Sequence, residues 1–130
     1  MTILRGEIIW ITAEQLIAAN ARQVPNAFVR DRNSLESAVA APVNLSLYEA
    51  QYDLVVLAVH LLHAVAMAHP FEDGNKRAAF FAAAAFLELN GAIFAPPDTE
   101  ETAQWVTGLI EHGIDQKTLC ELLRPFVLVL

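Results

Sequence analysis

Between Ala78 and Ala85 the chain carries six alanines and two phenylalanines, with no glycine, proline or polar residue. Alanine is the strongest helix former, and its small side chain lets a neighbouring helix approach closely, so this stretch predicts a buried helix at the centre of a helical bundle. The chain before it points the same way. Glu49 to Ala68 carries a long apolar helix signal; Pro70 and Gly74 then punctuate the chain, and the Ala-rich helix runs from about Asn75 to Asn90, closed by Gly91. Two long helices therefore flank one tight loop.

The remaining segments fit an all-α fold. Ile8 to Ile11 is a short apolar stretch, and Thr12 with Gln15 forms a capping-box pattern that predicts a helix from Ala13. Its apolar positions Leu16, Ile17, Ala21 and Val24 follow helical spacing until Pro25. Arg30 to Asn33 reads as a polar loop and Ser34 to Val39 as one or two helical turns, broken by Pro42 and Asn44, which makes Pro25 to Leu47 the expected mobile segment. Asp98 or Thr99 is expected to cap a helix to about His112, and Asp115 a last helix carrying Leu119, Leu122 and Leu123. At 130 residues the chain is read as a single domain over 1–130.

Composition excludes several function classes. Hydrophobic residues are 55% and charged residues 18%, far from a disordered chain. A formal charge of −7 offers no broad electrostatic footprint for nucleic acid, so no direct nucleic-acid partner is expected. The longest apolar run, Leu54 to Ala68, contains His60 and His63 and falls short of the ~20 residues that cross a bilayer. Met1 to Glu7 lacks signal-peptide features, and the lone Cys120 can form no internal disulfide, so a cytoplasmic protein is expected.

The loop between the two long helices, His69-Pro70-Phe71-Glu72-Asp73-Gly74-Asn75-Lys76-Arg77, gathers a base, two acids, an amide and two cations. A glycine-bearing loop feeding a helix N-terminus presents unpaired N–H groups and the positive end of the helix dipole, a ready site for phosphate. Lys76 and Arg77 oppose that dipole, at a cost of about 0.3–1 kcal/mol each, and an anion would resolve the conflict. Asp73 is positioned to hold a hard cation such as Mg²⁺ beside phosphate oxygens, Glu72 is expected to face solvent, and His69 can accept a proton from an incoming hydroxyl.

These nine residues resemble the signature of the Fic/Doc family, H-P-F-x-[D/E]-G-N-[G/K]-R, with every fixed position filled. The resemblance extends from about Arg30 to Gly91, including Arg30-Asp31 with Leu35 to Ala38, and Phe86 to Gly91. It implies a compact helical bundle with the Ala-rich motif helix at its centre and a short β-hairpin-like flap, placed within Ala40 to Glu49, that aligns a target segment by backbone pairing. It also implies transfer of part of a nucleotide to a protein hydroxyl. Fic-type members transfer AMP and usually carry a second glycine where this chain has Lys76, and often a second arginine where it has Phe80; Doc-type members transfer the terminal phosphate of ATP. Lys76, Phe80 and the short chain favour the Doc-type reading, whereas Gly74 is Fic-like, so AMP transfer stays as the alternative. By resemblance His69 is the general base, Asp73 holds Mg²⁺, Gly74 and Asn75 supply backbone or amide donors, Lys76 and Arg77 neutralise phosphate charge, Phe71 fixes the loop from the core and Pro70 restrains the turn. The implied cofactors are ATP and Mg²⁺, the implied target is elongation factor Tu with arrest of translation, and the implied partner is an antitoxin of Phd type.

Other residues have plainer readings. His60 and His63, even with His69, lack a matching carboxylate or cysteine for zinc and are expected beside the core. Cys120 is expected as a small core residue, His112 at a helix C-terminus, and Trp10 and Trp105 in the core or an interface. Thr107 and Glu111 match an inhibitory helix of the form [S/T]-x-x-x-E-[G/N], but His112 fails its last position. The apolar end Phe126 to Leu130 is expected to pack on the core, with an antitoxin or self-association contact as the alternative, which leaves a homo-oligomer open. A non-catalytic binding module using the apolar surface alone is the remaining functional alternative.

Overall fold

Each helix whose start is described, with one exception, begins at a side chain that accepts its first free N–H groups. The computed structural model describes residues 8–23, 25, 28–97 and 100–130. Helix α1 (Ala13–Gln23) opens with the reciprocal box, Gln15 N donating to Thr12 Oγ1 at 3.1 Å and Thr12 N to Gln15 Oε1 at 2.8 Å. Asp31 caps α2 (Arg32–Glu49) by accepting from Ser34, Asp53 caps α3 (Leu54–Ala68) by accepting from Val55 and Val56, and Asp115 caps α6 (Gln116–Leu123) by accepting from Thr118. Helix α4 (Asn75–Leu89) starts from Gly74 with no side-chain cap. The expected caps of α5 (Glu100–Ile110), Asp98 and Thr99, lie outside the described residues, as do Val24 and Met1 to Glu7.

Helices α3 and α4 form the centre, with the most extensive contact between any two elements. Helix α3 is apolar apart from His60 and His63, and Leu57, Leu61, Leu62 and Val65 are fully buried. Helix α4 meets it with Ala78, Ala79, Ala82 and Ala83, small enough for close approach, and with Phe86 and Leu87 beyond them. Helices α2 and α6 pack on α3, and α1 packs on α4. No described helix is long and apolar enough to cross a membrane.

Two expectations need correcting. Pro42 does not break the chain: α2 runs through it from Arg32 to Glu49, so no hairpin-like flap lies within Ala40 to Glu49. An interior proline costs a helix about 3 kcal/mol. Here Pro42 is itself buried, α2 lies along α3, and the helix is secured at its start by Asp31 and by Arg32, which pairs with Glu36 and with Glu14 of α1. The second correction is that the long apolar helix begins at Leu54 rather than Glu49, because Ala50 turns into the left-handed region at φ 52 and Asp53 restarts the helix.

The structure also adds a small sheet. Strand β1 (Ala92–Phe94) pairs antiparallel with β2 (Val127–Val129), reached through a 3₁₀ turn over Arg124–Phe126. The apolar C-terminal stretch thus pairs with β1 while Ile93 and Leu128, directly opposite one another, are 51% and 59% exposed. Phe94 tilts against Phe80, and Gly91 supplies the left-handed turn, φ 78, that leads from α4 into β1. Asn90 ties the N-terminal stretch down, accepting from Ile9 N and donating to the carbonyls of Ile9 and Phe86, while Trp10 stacks on Phe86.

His60 Nδ1 lies 3.0 Å from Gln116 Oε1, linking α3 to α6. Cys120 is buried, and desolvation pushes its thiol pKa up to about 11, so it is neutral at physiological pH.

Replacing Ala82, fully buried in α4, with leucine is expected to force α3 and α4 apart and to lower stability by about 1–3 kcal/mol, read from urea unfolding. His63 carries a pH dependence. Burial first, then like-charge interaction with His60 and His112, holds its pKa below the ordinary 6.5. The unfolded chain therefore takes up this proton more readily, so the associated stability is complete above about pH 6.5 and is lost as pH falls through the folded value. Thermal melts at pH 7.5 and 5.5 should show a larger drop for the native chain than for His63→Gln.

Candidate active site

The loop from His69 to Arg77 is shaped by bonds to nearly every main-chain group at its start. Phe71, fully buried, is clasped by one side chain: Phe71 N donates to Asn75 Oδ1 at 3.0 Å, and Asn75 Nδ2 donates to Phe71 O at 2.9 Å. The strand-like segment Phe28 to Asp31 secures the neighbouring groups. Arg30 N and Asp31 N donate to Pro70 O at 2.8 and 3.1 Å, Glu72 N donates to Phe28 O at 2.9 Å, and Val29 forms an antiparallel bridge with Phe71. The Arg30 guanidinium completes the set, its Nη2 donating to His69 O at 3.1 Å. Pro70 is buried beside Phe71.

His69 ends α3 in the left-handed conformation, φ 46 and ψ 51, and is exposed. Such a backbone costs a non-glycine residue about 1–2 kcal/mol, although histidine visits it more readily than most residues. It turns the chain out of α3 and presents the imidazole at the surface of the loop. Glu72 is exposed as expected. Asp73 is exposed too, and its Oδ1 accepts from Gly74 N at 2.8 Å, so the carboxylate lies against the start of α4.

Gly74 takes φ 79, the left-handed conformation a glycine adopts without strain, and its carbonyl accepts the first helical bond of α4, from Ala78 N at 2.8 Å. Among the described residues, the N–H groups of Asn75, Lys76 and Arg77 thus stand at an uncapped helix start. The amide of Asn75 is engaged within the loop, so the donor it can offer an anion is its main-chain N–H. Lys76 and Arg77 are both exposed, and Arg77 Nη1 reaches Gln23 O at 3.4 Å.

Lys76 and Arg77 line an open cleft of about 720 Å³, within the range of small-molecule sites. One helical turn further along α4, Phe80 and Phe81 line it beside Pro96 and Pro97, and Val106 and Thr107 of α5 close the far side. One end is cationic and the other apolar. His69, Asp73, Gly74 and Asn75 belong to the loop that leads into the cationic end of this cleft rather than to its walls. The expected site residues therefore stand on one loop and one helix turn. The reading from sequence placed Arg30 in a polar loop and within the family resemblance but gave it no role in the site, and it passed over Gln23, Phe81, Pro96 and Pro97 as cleft walls. Thr107 lines the cleft, while Glu111 and His112 are exposed at the turn after α5, where His112 has φ 64.

A family model described as the Fic/DOC family matches residues 10–87, a span that includes α1, α2, α3, the whole loop and most of α4. No curated protein matches the chain significantly.

Asn75→Ala removes the partner of two main-chain groups on a buried residue. The expected result is a loss of about 1–3 kcal/mol per group, with faster amide hydrogen exchange at Phe71 and little change at the centre of α3.

Proposed function

Because this chain belongs to the Fic/DOC family, enzymes that modify proteins, we propose that it is a protein phosphotransferase of Doc type that moves the terminal phosphate of ATP to a Ser or Thr hydroxyl. The observation that carries this reading is Lys76 in the first turn of an uncapped helix, beside Arg77 and facing an open cleft. Two cations set against a helix dipole are stabilised when an anion joins them, and phosphate oxygens supply that charge together with hydrogen-bond acceptors for the free N–H groups.

In the proposed reaction the target hydroxyl oxygen attacks the γ-phosphorus. A new oxygen–phosphorus bond forms, the bond from that phosphorus to the β–γ bridging oxygen breaks, and ADP leaves with the electron pair. His69 takes the hydroxyl proton. The N–H groups of Asn75, Lys76 and Arg77 and the two cationic side chains hold the phosphate chain and stabilise the charge that builds on it. The apolar wall of Phe80, Phe81, Pro96 and Pro97 suits the base of the nucleotide. Asp73, a single exposed carboxylate, fits Mg²⁺ that arrives with the nucleotide, which needs only one or two protein carboxylates, and does not make a protein-only cage. Bound there, Mg²⁺ would offset phosphate charge.

AMP transfer is the second reading, and Gly74 favours it: attack would then fall on the α-phosphorus, with pyrophosphate leaving. Elongation factor Tu in the cytoplasm is the proposed target, with loss of translation as the consequence, and an antitoxin of Phd type the proposed controlling partner. The exposed apolar side chains Ile93, Leu128 and Leu130 support a covering partner.

The test is incubation of the purified chain with elongation factor Tu and ATP labelled at the γ- or the α-phosphate. Transfer of γ-label, and a mass gain of one phosphate, is expected; α-label on the target would establish AMP transfer instead, and neither label with an active control enzyme would overturn both. His69→Asn should reduce transfer by at least 10²-fold. Asparagine is the better control than alanine because it accepts the left-handed backbone of position 69. Growth arrest that persists unchanged in cells expressing this variant would point to a binding module.

A further inference from the structure

We propose that Arg30 is a positioning residue that holds His69 in its left-handed conformation and so aims the imidazole; the inference rests on the role of His69 as proton acceptor. Pro70 disfavours the right-handed helical conformation at the residue before it, which is why α3 must end at His69. Two alternatives remain for that residue, left-handed or extended. They differ in both dihedrals: φ is 46 as observed against roughly −120 for an extended pre-proline residue, and ψ is 51 against roughly 120–160. Together these rotations, nearly a half turn in φ and about a quarter turn in ψ, redirect the His69 carbonyl. In the observed state the carbonyl accepts from Arg30 Nη2 at 3.1 Å, and in the extended state it points elsewhere. The bond therefore selects between the two states.

Arg30 is itself well placed to do so. Its own N–H donates to the next carbonyl, Pro70 O, at 2.8 Å, so one residue grips two successive carbonyls of the loop from its side chain and its main chain. The neighbours on either side are tied as well, Val29 by its bridge to Phe71 and Asp31 by its N–H to Pro70 O and its cap on α2. The guanidinium thus extends from an anchored main chain toward a carbonyl whose direction is set by the same two dihedrals that aim the His69 side chain.

Three variants test this, each first shown to keep the native melting temperature to within a few degrees. In the transfer assay Arg30→Ala should lower kcat by about ten- to a hundred-fold with KM for ATP unchanged, and Arg30→Lys, which can still donate to the carbonyl, should recover much of the loss. Added to His69→Asn, Arg30→Ala should have no further effect. A rise in KM instead of a fall in kcat, or full additivity with His69→Asn, would overturn the proposal. NMR gives a readout that needs no activity. The backbone shifts of His69 should carry a left-handed signature in the native chain and in Arg30→Lys, and lose it in Arg30→Ala; a left-handed signature retained in Arg30→Ala overturns the proposal whatever the reaction. If His69→Asn remains fully active, the proton-acceptor role falls while the backbone result for Arg30 stands on its own.

Discussion

The clasp of Asn75 on Phe71 is the constraint on which the rest of the site depends. A phenyl ring buried to completion draws its own peptide groups out of water, and those groups need partners. The Asn75 amide provides a donor and an acceptor in one plane, as a neighbouring strand would, so Phe71 can anchor the loop in the core without unpaired main-chain atoms. With that anchor in place the chain reverses between α3 and α4 in six residues, Gly74 turns left-handed, and α4 starts with its N–H groups uncovered. A capping side chain there would satisfy those groups and leave less for an anion.

The close approach of α3 and α4 serves the same end. Four alanines on the buried face of α4 let the two helices lie together over their length, which makes the loop between them short and its geometry well determined. The opposite side of α4 is free to present Lys76, Arg77, Phe80 and Phe81 to the cleft. One helix thereby divides its work by face: small residues inward for packing, charged and aromatic residues outward for binding. The net charge of −7 conceals this local cationic turn.

How much was legible in the sequence follows from the range of the forces involved. Caps at Thr12, Asp31 and Asp115 act on their own helix within three residues, and of these the sequence reading identified Thr12 and Asp115. Helix α4 and the loop before it were equally plain, because alanine propensity, Pro70 and Gly74 all agree. Pro42 misled, since its burial and the packing of α2 on α3 outweigh a local cost, and so did the chain from Glu49 to Asp53, where a non-glycine left-handed turn at Ala50 leaves no mark in residue type. The β1–β2 pair joins segments far apart in the chain and has no turn signal between them. In the site, the residue types that carry charge stood out, whereas Arg30 and the cleft walls belong to it only through tertiary placement.

The Arg30 contact with His69 spans 39 positions, and the sheet that closes over the end of α4 spans nearly as many in the other direction. Contacts of that separation form only after a long loop has closed, and closing it carries an entropy cost that local helix formation does not. Helices α3 and α4 can begin to form while the six residues between them are still loose. The loop takes its working shape when the segment from Phe28 to Asp31 docks against it, and it is undone first if that segment lifts away. A partly folded chain can thus hold its helical core and every residue of the motif, yet lack the arrangement in which they act together.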